Sequence, residues 1–116
     1  MDEYPMKRFP DQTDEWWGIH SDEAKEYGFG AFCWHEDESG LSIEFRHPDK
    51  LREADGDDTG MFSRIPVTGE RAWNWNGDRD KPTLTPSILQ RSYWRGSEEL
   101  QEVWHGFITN GVLQVL

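Results

Sequence analysis

The amino-acid sequence predicts a mainly β protein (β-rich α+β): a small antiparallel sheet, sandwich or half-barrel of about six to eight strands with a short N-terminal helical arm. Seven Trp, six Phe and three Tyr can supply the core, because each aromatic side chain buries on the order of 150–250 Å². Apolar and polar residues alternate along several short segments, which turn residues separate. A chain of 116 residues has room for one core, so residues 1–116 should form a single domain.

The N-terminal part, residues 1–26, is expected to be an acidic arm with short helical pieces. Thr13 and Ser21 each precede acidic residues, which favour the first turn of a helix because of its dipole, so both are predicted N-caps. Gly28 should end the second helical piece. The β-rich core is expected to follow over residues 27–116.

The core should begin with a β-hairpin around the turn sequence E-S-G at residues 38–40. Its second strand, residues 41–46, alternates apolar and polar side chains and should therefore bury one face. Residues 49–60 contain the sequence A-D-G-D-D-T-G and predict an exposed acidic loop. The spacing of these acids does not fit the calcium loop of an EF-hand.

A tryptophan-rich segment is predicted to be the structural hub of the sheet. Strands are expected at about residues 61–67, 70–76 and 83–90. The tryptophans at 73 and 75 should share a face, the Asn-Gly pair at 76 and 77 predicts a tight turn, and the prolines at 82 and 86 predict an edge or kinked strand. The predicted hub residues are Trp73, Trp75, Asn76, Gly77, Pro82, Pro86 and Trp104.

The C-terminal segment carries two further predictions. Residues 97–102 should form one helical turn. Asn110 and Gly111 should form a two-residue hairpin turn in which Thr109 faces Val112. The buried face of that hairpin is predicted to comprise Trp104, Ile108, Leu113 and Val115. Removal of the last four residues should therefore unfold the domain.

The negative charge is concentrated in one half of the sequence. Residues 1–60 hold 17 Asp and Glu against 6 Lys and Arg, whereas residues 61–116 hold 6 of each class. An acidic half disfavours direct binding to nucleic acid and favours a host or viral partner protein with a basic surface. The acidic residues predicted to form the binding surface are Asp14, Glu15, Asp22, Glu23, Glu36, Asp37, Glu38, Asp55, Asp57 and Asp58. A solvated surface without a partner is the alternative.

Other sequence features disfavour membrane, secreted and enzymatic classes. No apolar run reaches the roughly 18 residues of a membrane helix, and the N-terminus is acidic where a signal peptide is basic. The single cysteine fits a reducing cytoplasm. Neither the G-x-S-x-G motif of a nucleophilic serine nor a glycine pattern for nucleotide phosphates occurs, so we expect no catalysis.

One set of residues could bind a metal ion. Cys33 and His35 lie two apart on a predicted strand and so share a face, and His105 could approach them from the C-terminal hairpin. Thiolate and imidazole are the ligands that zinc prefers. The alternative is a protein without a cofactor, in which Cys33 is a small buried core residue.

Two motifs carry a resemblance to a known family. The sequence W-x-W-N-G-D-x-x-K-P-T-x-T-P-S-I-L at residues 73–89 and the sequence W-H-x-F-I-x-N-G in the last hairpin resemble small phage and prophage proteins of unknown function, often labelled ammonia monooxygenase. The resemblance implies a β domain supported by zinc. Cys33 and His105 match ligands of that family, but Trp104 stands where it has a cysteine. The resemblance therefore implies a lost metal site replaced by aromatic packing.

Three functions follow as hypotheses. The first is a phage-encoded accessory protein that binds another protein without catalysis, in its most specific form an acidic nucleic-acid mimic that inhibits a defence complex in the host cytoplasm. The second is a structural or decoration protein of the virion. The third is a zinc-dependent binding module or hydrolase. The sequence makes no prediction of the oligomeric state.

Overall fold

The computed structural model describes residues 1–11, 18–93 and 96–116. Within these residues the chain is mainly β, as predicted, and forms one sheet of five strands and one of four. The strands are β1 (Asp2–Pro5), β2 (Lys7–Arg8), β3 (Ala31–Asp37), β4 (Gly40–His47), β5 (Met61–Pro66), β6 (Asn74–Trp75), β7 (Leu84–Tyr93), β8 (Leu100–Thr109) and β9 (Val112–Val115). The helices are a 3-10 helix (Gly18–His20), α1 (Asp22–Tyr27) and α2 (Lys50–Ala54). None of the helices described is long and apolar enough to cross a membrane.

The four-stranded sheet has the order β2-β3-β4-β5 and is built around the predicted hairpin of β3 and β4. The apolar residues of β4 that alternate along the strand are buried, as the pattern predicts. Glu44 lies on the opposite face and is nevertheless only 2% exposed. The Nε atom of Arg64 donates a hydrogen bond of 2.8 Å to the Glu44 carboxylate, which compensates the burial of that charge.

The five-stranded sheet has the order β1-β9-β8-β7-β6. The C-terminal hairpin has the predicted register, with Thr109 opposite Val112, and its turn residues Asn110 and Gly111 have φ angles of 49° and 74°. Strand β9 lies between β1 and β8, so the end of the chain is an interior strand of the sheet.

The two sheets pack face to face around one hydrophobic core, as in a sandwich. The core residues of the four-stranded sheet are Phe32, Trp34, Leu41, Ile43, Phe45, Ile65 and Val67, and those of the five-stranded sheet are Leu84, Ile88, Val103, Trp104, Ile108, Leu113 and Val115. Trp34 and Trp104 are the largest fully buried side chains. Truncation of a buried tryptophan costs about 3–5 kcal/mol, so these two indoles are major contributors to stability.

The N-terminal residues differ from the predicted helical arm. Residues 2–8 form β1 and β2, because β1 completes the edge of the five-stranded sheet beside β9 and β2 pairs in parallel with β3. The predicted cap at Ser21 is confirmed, since its hydroxyl accepts a hydrogen bond from the Ala24 amide. Gly28 ends α1 with a φ angle of 86°. The predicted cap at Thr13 lies outside the described residues.

The segment predicted as an exposed acidic loop contains a helix. Asp49 is only 2% exposed, and its carboxylate accepts hydrogen bonds from the amides of Leu51 and Arg52, which caps the N-terminus of α2. A carboxylate in this position satisfies backbone donors that a helix leaves free. The prediction for residues 49–60 is therefore wrong at Lys50–Ala54, and it holds for the exposed residues that follow.

The tryptophan hub is smaller and less buried than predicted. Trp73 and Trp75 share a face and pack against the core, but both are only half-buried, and β6 is two residues long. Residues 76–83 form a loop rather than a tight turn, because the Asn76 side chain accepts hydrogen bonds from the amides of Asp78 and Thr83. The predicted kink of the following strand is present as a shift of register between Leu84 and Ile88. In this strand region Pro82 is buried and Pro86 is exposed.

The predicted helical turn at residues 97–102 is wrong. The Ser97 hydroxyl accepts a hydrogen bond from the Glu99 amide in a local turn, and β8 begins at Leu100. Pairing of Leu100 with Tyr93 of β7 provides these residues with backbone partners that an isolated helical turn would lack.

Candidate functional site

A serine and a histidine meet on the outer face of the five-stranded sheet. Ser87 of β7 and His105 of β8 are both half-buried, and the Ser87 Oγ atom lies 3.1 Å from His105 Nε2. Their neighbours Ile88 and Trp104 are buried in the core. Because side chains of a strand alternate between its faces, Ser87 and His105 point away from that core.

An irregular stretch of β7 positions Ser87. Leu84 pairs with Ile108 and Ile88 pairs with Gly106, so three residues of β7 lie opposite a single residue of β8. Such bulges bend a strand and re-aim its side chains, and they are common beside active sites. The Trp73 Nε1 atom lies 3.4 Å from the Ser87 carbonyl oxygen and donates to it, which ties the bulge to the half-buried indole.

Close packing holds His105 in the strand next to the bulge. A Cβ atom on the adjacent Gly106 would lie 1.9 Å from the carbonyl oxygen of Gln114, so β8 and β9 approach closely only with glycine there. The His105 carbonyl accepts a hydrogen bond of 2.8 Å from the Leu116 amide. The ring of His105 stacks on that of Phe107, with centroids 6.5 Å apart.

This pair has the chemistry of a nucleophile and its base. A neutral imidazole with a free Nε2 lone pair accepts the serine hydroxyl proton and so raises the nucleophilicity of Oγ. Among the residues that the structure describes, no carboxylate is hydrogen-bonded to the His105 ring. Within the part of the chain that the structure describes, Ser87 and His105 therefore form a pair that lacks the third residue of a triad.

A second serine and histidine meet where β4 and β5 pair. The His47 Nε2 atom lies 2.7 Å from Ser63 Oγ, and His47 Nδ1 lies 2.8 Å from the Pro48 carbonyl oxygen. A carbonyl oxygen can only accept, so Nδ1 carries the proton and Nε2 accepts from the Ser63 hydroxyl. The hydrogen-bonding capacity of His47 is therefore fully used within the fold.

The surroundings of His47 make it a poor base. Its side chain is fully buried, and its ring stacks on Trp104 with centroids 4.9 Å apart and an interplanar angle of 25°. Burial lowers the pKa of His47 to about 4, which keeps the imidazole neutral and weakly basic at neutral pH. A cavity of about 140 Å³ adjoins Ser63, well below the size usual for ligand sites.

Comparison with known protein families separates these two pairs. Residues 56–116, more than half of the chain, match the family described as bacterial ubiquitination-like system serine protease (BubE). The chain belongs to the BubE family. No curated protein and no solved structure matches the chain. The BubE match leaves the resemblance to phage and prophage proteins as a prediction.

The BubE match contains Ser87 and His105 but not His47. His105 is the only histidine of residues 56–116, so a histidine base within the matched segment has one candidate. Among the described serines of that segment, the one hydrogen-bonded to His105 is Ser87. The name of the BubE family points toward enzymatic activity, whereas the sequence motifs predicted none.

The predicted zinc ligands are not brought together. Cys33 is buried on the outer side of the four-stranded sheet, where a Cβ atom on Gly18 would lie 2.8 Å from its Sγ atom. His35 projects from the same face and bonds to Asp37 at 3.2 Å. His105 lies on the outer face of the other sheet, across the core. Within the described residues no group of three His, Cys, Asp or Glu side chains is placed to hold a metal ion.

The predicted acidic surface is divided between the two ends of the β3–β4 hairpin. Glu36, Asp37 and Glu38 lie at its turn. The other described acids, Asp22, Glu23, Asp55, Asp57 and Asp58, lie near its open end, where Lys25 of α1 and Asp58 line one cavity. A hairpin of this length separates its ends by roughly 20 Å. Asp14 and Glu15 lie outside the described residues.

Local hydrogen bonds keep two of these acids charged. The Ser39 hydroxyl and amide donate to Asp37, which lowers the pKa of Asp37 to about 2. Thr59 donates to Asp57 in the same way and lowers its pKa. These acids therefore stabilise turns and also remain negative at neutral pH.

The Ser87–His105 pair was not predicted, although both residues lie in the motifs that carry the family resemblance. The G-x-S-x-G motif, whose absence disfavoured catalysis, places a nucleophilic serine in a strand-to-helix turn. Here the serine lies in a strand and its base lies 18 positions later on the neighbouring strand, so register decides the contact. The sequence features that could have indicated this pair are the P-S-I and W-H-G segments, which contain Ser87 and His105.

Proposed function

We propose that this protein is a serine hydrolase that cleaves an acyl bond, of the peptide type, in a protein substrate of a bacterial ubiquitination-like system. The observation that carries the proposal is the contact of 3.1 Å between Ser87 Oγ and His105 Nε2, inside the segment matched by a family named as serine proteases. No other histidine of that segment is present to serve as base.

In the proposed reaction, Ser87 Oγ attacks the carbonyl carbon of the substrate while His105 Nε2 takes the hydroxyl proton. The tetrahedral intermediate collapses when the bond to the leaving group breaks, and the protonated His105 gives that proton to the departing nitrogen or oxygen. A water molecule then attacks the acyl group on Ser87, with His105 again as base, and restores the serine. Each step conserves atoms and charge.

The face around Ser87 suits an extended polypeptide. Leu89 lies opposite His105 on the same face and is 40% exposed. Ser87 itself is half-buried and projects from the surface of the sheet. An apolar substrate side chain beside the scissile bond could bury Leu89, and its burial would help to place the carbonyl carbon near Ser87 Oγ.

Hydrolysis of p-nitrophenyl acetate and of a panel of fluorogenic peptides tests the proposal. Ser87→Ala and His105→Gln should each lower the rate by about 100-fold or more, because both remove the activated nucleophile. Ser63→Ala is the matched control and should stay within about twofold of wild type. Equal rates for wild type and Ser87→Ala, or a loss confined to Ser63→Ala, would contradict the proposal.

The charge distribution favours a second candidate function, a phage accessory protein that binds a basic partner without catalysis. Residues 1–60 carry the whole net charge of −11. Capture of a partner from host lysate should then weaken sharply between about 150 and 500 mM salt, because screening shortens the range of charge attraction. Glu36→Gln/Glu38→Gln should also weaken capture, whereas Glu98→Gln/Glu99→Gln, which changes the neutral half equally, should not. Capture that is unaffected by salt and by Glu36→Gln/Glu38→Gln would rule out electrostatic recognition.

A further inference from the structure

A surface cavity of about 640 Å³ lies where α1 meets β1 and the open end of the β3–β4 hairpin. Its volume falls in the range of pockets that hold small ligands or peptide ends. Its lining combines three aromatic rings, Tyr4, Tyr27 and Phe29, with two cations, Lys25 and Arg46, and one acid, Asp58. Neither Ser87 nor His105 lines this cavity. The description of the matched family gives the cavity no role.

Arg46 is one of the two cations that line this cavity. It is half-buried, and its Nε atom donates a hydrogen bond of 3.0 Å to the Ile19 carbonyl, which fixes the guanidinium plane. Of the described carboxylates, none forms an ion pair with its terminal nitrogens. Burial lowers the pKa of Arg46, yet a guanidinium stays protonated at neutral pH. A fixed, partly dehydrated guanidinium fork is suited to bidentate binding of a carboxylate.

The aromatic wall is also held in place. The rings of Tyr4 and Phe29 meet edge to face, with centroids 5.4 Å apart and an interplanar angle of 83°. Gly60 makes room for this arrangement, since a Cβ atom there would lie 2.4 Å from Cε1 of Phe29. The Tyr27 hydroxyl donates to the Pro5 carbonyl at 2.5 Å, which ties α1 to β1 across the cavity.

The charge of the cavity selects the kind of anion. The chain has a net charge of −11, whereas the cavity lining holds two cations, Lys25 and Arg46, against one acid, Asp58. Lys25 is exposed at the rim and adds a second positive charge to that of Arg46. Asp58 lines the same cavity and would repel a multiply charged anion such as phosphate. A single negative charge on an apolar body matches these groups best.

We propose that this cavity binds a carboxylate carried by an aromatic or branched apolar group, with Arg46 and Lys25 holding the carboxylate and Tyr4 and Phe29 contacting the apolar body. A peptide C-terminus and a small aromatic acid share this chemistry. The site does not depend on the proposed hydrolase function, because none of its residues belongs to the Ser87–His105 pair.

Calorimetric titration of the full chain tests the inference with four probes: 3-phenylpropanoate, N-acetyl-Gly-Phe, its C-terminal amide and inorganic phosphate. Both carboxylates should bind, whereas the amide and phosphate should bind about tenfold more weakly or not at all. Tighter binding of the peptide than of phenylpropanoate would identify a peptide C-terminus as the source, and the reverse order a small acid. Equal binding of the amide, or preferred binding of phosphate, would overturn the inference.

Variants locate the site on the chain. Arg46→Gln should lower affinity for N-acetyl-Gly-Phe by about tenfold or more, and Lys25→Ala by about threefold to tenfold. Lys81→Ala removes an equal charge outside the cavity and should leave affinity unchanged. Lys25 is exposed, so Lys25→Ala should fold. This variant therefore tests the location of the site even where Arg46→Gln fails to fold. Unchanged affinity in Lys25→Ala would place the ligand elsewhere. Ser87→Ala should bind as wild type does, which separates this result from failure of the catalytic proposal.

Discussion

At the scale of single residues, serine and histidine meet twice in this chain, and the surroundings of each pair give it a different chemistry. His47 is buried, both of its ring nitrogens form hydrogen bonds within the fold, and its ring stacks on Trp104. His105 lies on an open sheet face and contacts Ser87 through one nitrogen. The same two side-chain types thus stabilise the fold at one position and, in the proposed function, carry out acyl transfer at the other.

The burial of His47 predicts a pH-dependent stability. Its pKa is lowered to about 4, whereas a histidine of the unfolded chain titrates near 6.5. As the pH falls, the unfolded state takes up the proton first. The contribution of His47 should therefore be fully present above about pH 6.5 and should decline by about 3 kcal/mol as the pH approaches 4. Urea unfolding at a series of pH values measures this decline.

Two variants isolate that contribution. His47→Gln should flatten the dependence between pH 6.5 and 4, whatever its stability at neutral pH. His20→Gln is the control: burial also lowers the pKa of His20, but this histidine is only half-buried, and most of the dependence should persist in its variant. The explanation fails if His47→Gln and wild type lose stability in parallel.

At the scale of secondary structure, local chemistry decided which elements could be predicted. The hairpins at residues 38–40 and 110–111 depend on turn residues and short alternation, and both were predicted correctly, the second to the register. Strand β1 was missed because its conformation depends on pairing with β9, at the other end of the chain. Helix α2 was missed because the Asp49 cap was read as part of an acidic loop.

The close approach of β8 and β9 requires a residue without a side chain at Gly106. A Cβ atom at this position would lie 1.9 Å from the Gln114 carbonyl oxygen and 2.9 Å from the Trp104 ring. Gly106→Ala should therefore force the strands apart and lower the free energy of unfolding by about 3 kcal/mol or more. Denaturant unfolding followed by tryptophan fluorescence provides the measurement.

Gly77→Ala is the matched control for that substitution. Gly77 has a φ angle of 85°, but in the described structure its added Cβ atom would meet no atom within 4 Å. Only the backbone conformation is strained, so the loss should be about 1–2 kcal/mol. Losses of equal size in the two variants would show that steric contact between β8 and β9 is not the cause.

At the scale of the whole molecule, the sequence predicted the class of fold and the aromatic core, but not which surfaces carry chemistry. Trp104 was predicted to share a buried face and does, because alternation along one strand is visible in sequence. The contact of Ser87 with His105 depends on a bulge and on the pairing of β7 with β8, which no local pattern specifies. The predicted ligands Cys33 and His105 lie on opposite outer faces for the same reason: the packing of two sheets separates residues that a linear pattern groups together.

Activation of Ser87 by His105 can be measured with a fluorophosphonate probe. The probe phosphonylates an activated serine, and intact mass followed by peptide mapping identifies the residue. If His105 activates Ser87, the protein should carry one adduct per chain, on Ser87, that is lost in His105→Gln and retained in Ser63→Ala. An adduct on Ser63, or an unmodified Ser87 in the folded wild-type protein, would contradict it.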